Sequence, residues 1–127
     1  VVYPSIAASD SGKEYILYHN TMDDNIWFYN NGSLNSLAYN VGGGGFYKPV
    51  ILCDKAGYLH YLYGKLYESE YVLFYGRNTS GSFVCDQIFG FRATSDNSDL
   101  AVSSDNVVYI VYGKTDANSL CIAYKKY

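Results

Sequence analysis

Hydrophobic residues in this chain fall in short runs between polar turns, and one run sets the pattern. Asp54-Lys55-Ala56-Gly57 is followed by Tyr58-Leu59-His60-Tyr61-Leu62-Tyr63 and then by Gly64-Lys65. Asp accepts hydrogen bonds from nearby backbone and Gly tolerates positive φ, so the first four residues predict a turn. The unbroken aromatic and aliphatic run after it predicts a strand covered on both faces. The same design stands upstream at Ser9 to Tyr18 and downstream at Asp105 to Lys114. Gly12 and Gly57, Tyr18 and Tyr63, and Pro4 and Pro49 are each 45 positions apart, and Tyr112 follows Tyr63 by 49, with Gly113-Lys114 matching Gly64-Lys65. A spacing of this length marks a repeat protein.

Within the first repeat, strands are expected over Ser5 to Ser9, Glu14 to Tyr18, Asn25 to Tyr29 and Leu34 to Tyr39. His19 to Asp24 reads as a polar loop, and Asn30-Asn31-Gly32-Ser33 as a hairpin turn. Gly42 to Gly45 is a flexible crossing, because a phosphate-cradling loop should open onto a helix and none follows. The second repeat offers Val50 to Cys53, Tyr58 to Tyr63, Tyr71 to Tyr75 and Phe83 to Phe89. Ala93 to Asp99 reads as a polar connection into Leu100 to Ser103, Val107 to Tyr112 and Leu120 to Tyr124, where the chain stops before a fourth strand. The repeats thus cover about 3–44, 45–90 and 91–127 of one all-β repeat domain.

No window carries an apolar stripe at i, i+3, i+4, i+7, which argues against helices. Four antiparallel strands per repeat of this length predict β-propeller blades. In the second strands Tyr15, His60 and Tyr109 share one column and Ile16, Tyr61 and Ile110 the next, both largely apolar. A single β-barrel or β-sandwich is the alternative that this length also permits. Propellers close with about four to eight blades, so an arc of three exposes two apolar faces. The expectation is a longer chain, or a homo-oligomer in which two copies make a six-bladed ring with two-fold symmetry.

The pattern Asp-x-x-Gly-x-x-His-Tyr-x-Tyr, carried by Asp54, Gly57, His60, Tyr61 and Tyr63, resembles the repeat of sialidase-like and bacterial lectin-like propellers. The first copy keeps Asp10, Gly12 and Tyr18 with a shorter turn, and the third has Asn106 where Gly is expected. The resemblance spans nearly the whole chain and implies fold more than activity. A sialidase-type Asp-box, Ser-x-Asp-x-Gly-x-Thr-Trp, is fully met by no segment. Sialidases resembling this repeat hold a carboxylate with three arginines, whereas only Arg77 and Arg92 occur here.

Composition narrows the function classes. Tyr is the commonest residue, at 16 of 127, and aromatics make up 18%, which favours strands. A net charge of −3 and a pI near 5.1 argue against nucleic acid or an anionic membrane as partner. No apolar run approaches the roughly 18 residues of a membrane span. The chain opens at Val1, as expected of a processed product, an excised domain or an incomplete sequence. Cys53, Cys85 and Cys121 form no metal-ligand spacing and read as mostly buried thiols, one disulfide plus a spare thiol being the alternative. The sequons at Asn31 and Asn78 fall in turns and point toward an extracellular or cell-surface setting.

Candidate chemistry is sparse. His60 lies in a column of tyrosines and reads as a packed core residue, and His19 as a loop residue that is solvated or touches ligand. Asp23-Asp24, Glu68 with Glu70, and Asp96 with Asp99 are the carboxylate pairs open to acid–base work, but all sit in or beside polar loops. Calcium held by Asp96, Asn97 and Asp99 needs more oxygen ligands than are visible, and no cofactor is implied. The remaining signal is aromatic. Tyr18, Tyr63 and Tyr112 end equivalent strands before His19-Asn20, Gly64-Lys65 and Gly113-Lys114. In a propeller they reach one rim, where a ring beside amide or ammonium donors suits a sugar; packing between blades is the other reading of each. The candidate ligand set is Tyr18, His19, Asn20, Tyr63, Lys65, Tyr112 and Lys114, with Trp27 assigned to the core. A non-enzymatic module binding a glycan or glycoprotein is expected. The alternatives are a structural or adhesive module contacting protein, and a glycosidase fragment.

Overall fold

The computed structural model describes residues 2–38, 46–67, 70–78, 83–88, 93–114 and 119–126, and side chains for fewer of these. Among them there is no helix, and the strands form three separate antiparallel sheets. The first is a meander of β1 (Val2–Ala8), β2 (Glu14–Asn20), β3 (Asn25–Asn30) and β4 (Ser33–Ala38). The second repeats it with β5 (Phe46–Cys53), β6 (Leu59–Tyr67), β7 (Glu70–Asn78) and β8 (Phe83–Ile88). The third has β9 (Ala93–Val102), β10 (Val107–Lys114) and β11 (Ser119–Lys126). The sheets are open and packed face to face, as propeller blades are, not closed into one barrel. The glycine crossing at 42–45 lies outside the described residues.

The three first-to-second strand turns are one structure written three times. Ser9, Asp54 and Ser103 donate their N–H to the carbonyls of Lys13, Tyr58 and Val107 at 3.0, 2.9 and 2.9 Å. Their side-chain oxygens accept the N–H of those same residues at 3.2, 2.9 and 3.0 Å. Either a carboxylate or a hydroxyl can make this cap, so the partner of Asp54 in the first copy is Ser9, not Asp10, and the turn there is no shorter. Gly12, Gly57 and Asn106 follow at φ +78°, +85° and +61°. Asn is the side chain that best tolerates this left-handed region, so Asn106 keeps the backbone that Gly supplies elsewhere. Pro4 and Pro49 mark a second shared irregularity. Tyr3 and Lys48 before them have φ +52° and +41°, and β1 and β5 shift register there.

Two hydrophobic clusters make the core, and each is a junction between blades. Tyr15, Leu17, Ile26 and Phe28 of the first sheet meet Ile51, Leu59, Tyr61 and Tyr63 of the second. Leu62, Leu73 and Tyr75 on the other face of the second sheet meet Leu100, Val108, Ile110 and Tyr112 of the third. Beside the core, Ile51 N–H donates to Ser5 Oγ at 3.0 Å, tying β5 to β1. The strand β6 is therefore buried on both faces from Leu59 to Gly64, as its unbroken apolar run requires. In β2, by contrast, burial alternates, and in β10 Tyr109 is 44% exposed. These two strands belong to the outer blades, each of which has a neighbour on one side.

Two expectations are corrected. Ala93 to Asp99 is not a connection: it forms most of β9, paired to β10 through Asp99 with Val111 and Ser98 with Tyr112. His19 and Asn20 are not loop residues but the last positions of β2, leaving 21–24 as the turn. Cross-strand volumes also vary between blades. Ile16, Tyr61 and Ile110 stand opposite Tyr29, Gly76 and Ala123, so the largest side chain of the column lies over a glycine. The Tyr61 ring occupies the space where a Cβ on Gly76 would stand.

Candidate functional site

Register makes the sequence-predicted residues equivalent positions of β2, β6 and β10; β2 and β10 end two residues after their tyrosines, whereas β6 does not end at Tyr63 as expected but continues to Tyr67, its ladder with β7 extending to Glu70. Tyr18, Tyr63 and Tyr112 pair with Trp27, Phe74 and Cys121 and are equivalent positions. One residue on stand His19, Gly64 and Gly113, and then Asn20, Lys65 and Lys114. Alternation in a strand assigns these to opposite faces. The tyrosines and the Asn20, Lys65 and Lys114 positions share the face turned to the preceding blade. The positions of His19, Gly64 and Gly113 share the face turned to the following one.

The residues therefore assemble across junctions. The His19 position of the first blade and the Tyr63 and Lys65 positions of the second are turned to the first junction. The Gly64, Tyr112 and Lys114 positions are turned to the second. Gly113 on the third blade and Tyr18 with Asn20 on the first lie at the two outer faces and do not meet. The side chain of Lys114 lies outside the described residues.

Burial decides what each group can offer. Tyr63 and Tyr112 are only 6% and 4% exposed, and Tyr63 stacks on Phe74 with centroids 5.3 Å apart. Their rings are junction core. Tyr18 is half-buried on the open face of the first blade beside Trp27. The Trp27 indole N–H donates to Asp23 Oδ2 at 2.9 Å, and Asp23 Oδ1 accepts the Asn25 N–H at 3.2 Å. Half-buried Trp27 is thus anchored at its polar edge and lies outside both core clusters. His19 is 6% exposed, and its Nε2 donates to Asp24 Oδ1 at 2.6 Å. Asp24 can reach it because the residue takes φ +53° in the turn. The Asp23-Asp24 pair is therefore committed locally, one carboxylate to an indole and an amide, the other to an imidazole.

His60 is a packed core residue, 3% exposed. Its Nε2 donates to Asp54 Oδ2 at 3.2 Å, and Nδ1 lies 2.8 Å from the Tyr75 hydroxyl, which donates to it in the neutral ring. Asp54 thus caps the turn with one oxygen and holds His60 with the other. This network lies at the edge opposite Tyr63. Nearby Cys53 is a free thiol; burial pushes its pKa up, helped by the charges of Asp54 and Asp10. The side chains of Cys85 and Cys121 lie outside the described residues, as do those of Glu68, Glu70, Asp96, Asn97 and Arg92. Among the described residues, no three His, Cys, Asp or Glu side chains are grouped to hold a metal ion. Asn31 is exposed in its hairpin turn, whereas Thr79 and Ser80 of the second sequon lie outside the described residues.

Sequence reasoning missed the His19–Asp24 pair, although His-x-x-x-x-Asp across a polar turn between two strands was its visible signal. It also missed the outward placement of Trp27.

No sequence-family profile and no curated protein sequence matches the chain. Solved structures do. A fucose lectin from Kordia zhangzhouensis, determined with methyl-fucoside, superposes with a TM-score of 0.60 at 9% identity, over 97% of this chain and 92% of the lectin chain. An endo-arabinase from Bacteroides thetaiotaomicron superposes with a TM-score of 0.63 at 12% identity, over 98% of this chain and 55% of that one. At these identities the likeness is one of fold.

Proposed function

We propose that this chain is a non-enzymatic carbohydrate-binding module, with its sites at the edge where one blade meets the next. The observation that supports the reading is the register, which makes Tyr18, Tyr63 and Tyr112 equivalent positions of β2, β6 and β10, each followed two residues on by Asn20, Lys65 or Lys114. The position of His19, held by Asp24, lies on the face turned to the same junction as Tyr63 and Lys65. A sugar needs several donors and acceptors converging beside an apolar surface, and a junction edge between packed tyrosines supplies both. Similarity in fold to a fucose lectin supports the same reading. Tyr18, Asn20, Tyr112 and Lys114 complete the proposed set, and the ligand is a glycan or glycoprotein met outside the cell or at its surface. The blades that cover the two outer faces come from a second copy or from the remainder of a longer chain.

The endo-arabinase likeness, over 55% of that chain, favours a second reading as part of a carbohydrate-cleaving propeller. The engagement of Asp23 and Asp24 by Trp27 and His19 counts against it. A glycan array followed by calorimetry tests the proposal. Binding to neutral sugars that falls at least tenfold in Lys65→Ala, with an unchanged melting temperature, supports it. No binding on the array, or binding indifferent to Lys65→Ala, His19→Ala and Tyr63→Phe together, overturns it in favour of a protein-contacting module.

A further inference from the structure

Both outer faces of the arc are apolar, and each has a counterpart inside the molecule. The face of the first blade that bears Ile6, Glu14, Ile16 and Tyr18 is equivalent, position by position, to Ile51, Leu59, Tyr61 and Tyr63, which pack onto the first blade. The face of the third blade that bears Tyr109, Val111, Leu120 and Ile122 is equivalent to His60, Leu62, Leu73 and Tyr75, which receive the third blade. Inside the junctions these positions are at most 8% exposed. At the outer faces Ile6 is 67%, Leu120 71% and Ile122 65% exposed.

We infer that a second copy of this chain covers both faces, its first blade packing on the third blade of its partner, twice, to close a six-bladed ring. The insertion set and the receiving set are the two halves of a junction the chain already makes twice, so the occupant is a first blade of its own kind. Charge agrees with this. Glu14 replaces the Leu59 and Val108 of the other copies, and Lys126 is exposed at the same end of the opposing face, opposite Val107 in register. Asp99 stands where Ser5 accepts the Ile51 N–H, placing an acceptor for the partner's Ile6 N–H. A groove of about 590 Å³ is lined by Lys48 and Val50 of the second blade and by Ser98, Asp99, Val111 and Leu120 of the third.

Three blades from each of two copies make six, within the about four to eight that propellers take. Closure brings Gly113 beside the partner's Tyr18 and Asn20, completing the third edge site, which one chain leaves split. The inference stands on the sheet faces and does not need the ligand reading.

Sedimentation velocity on the 127-residue chain tests it. The expected species is a dimer of about 28 kDa, twice 14.2 kDa. Ile122→Asp or Ile16→Asp, both on outer faces, should give monomers with unchanged circular dichroism. Glu14→Lys should weaken the dimer about fivefold, and Lys126→Glu in the same chain should restore it. A wild-type monomer at tens of micromolar, an open-ended ladder of larger species, or a dimer that survives both Asp variants would overturn the inference. None of these readouts depends on sugar, so failure here and failure of glycan binding are separable.

Discussion

Replacing Gly76 by Ala should disrupt the first junction through a residue in the neighbouring strand. The added Cβ would overlap Tyr61 Cζ and Oη and stand 2.6 Å from its Cε2, and Tyr61 is 1% exposed. Gly76 has no positive φ, so the backbone accepts Ala and the whole penalty is steric. Full expulsion of the ring would forfeit about 150–250 Å² of burial, or about 4–6 kcal/mol as an upper bound. Partial displacement within a filled junction costs about 1–3 kcal/mol. Ala itself is worth about 0.5–1 kcal/mol over Gly in a strand, which offsets part of this. A net loss of about 1 kcal/mol is expected, read as a lower urea midpoint at constant m-value. The rescue is written elsewhere in the chain, where Ile110 faces Ala123. Tyr61→Ile should therefore make Gly76→Ala tolerable, with a coupling of about 1–2 kcal/mol in the double-mutant cycle. A single variant within about 0.5 kcal/mol of wild type, or strictly additive losses, would refute the overlap.

Three further outcomes follow from the same geometry. Asp54→Ala removes the turn cap and the buried partner of His60 Nε2, so it should cost about 2–4 kcal/mol by denaturant titration, against about 1 kcal/mol for Ser103→Ala, whose loss uncaps the Val107 N–H and returns an exposed Asp105 carboxylate to solvent. Gly57→Ala, with open space around it but φ +85°, should lose about 1–2 kcal/mol, while Asn106→Gly should be within about 0.5 kcal/mol of neutral; equal losses would contradict the shared left-handed turn position. The hydrogen bond from Ser103 holds the Asp105 carboxyl below its usual range, so its stabilisation is present above that range and is lost as pH falls through the lowered value. The stability difference between wild type and Asp105→Asn should accordingly shrink on acidification; a difference that grows would contradict the assignment.

What could be read without coordinates was whatever the repeat enforces through local chemistry. The turn carrying Gly12, Gly57 and Asn106 needs a small acceptor and a residue tolerant of positive φ, and both show as residue types. The apolar run through Tyr61 shows its double burial because every position must be covered. Strand β9 was hidden for the converse reason. Its ladder with β10 is built from backbone groups, so Asn97, Ser98 and Asp99 can form a strand with no apolar signal. His19 was misplaced because a polar string resembles a loop, while its burial depends on Asp24 turning back through a left-handed residue. The packing of Tyr63 and Tyr112 also needed the neighbouring blades, since an aromatic before Gly-Lys reads equally well as a strand end at a binding edge or as a junction residue, and β6 in fact continues past Tyr63 to Tyr67.

Sugar binding at the junction edges is the most direct test of the proposed function. Isothermal titration of the chain with the neutral monosaccharides selected by a glycan array should give more than one site per chain, since equivalent edges recur, and Lys65→Ala should remove part of that stoichiometry while the protein stays folded. A titration without heat across the panel, or a single site untouched by substitutions at Tyr63, Lys65 and His19, would contradict it.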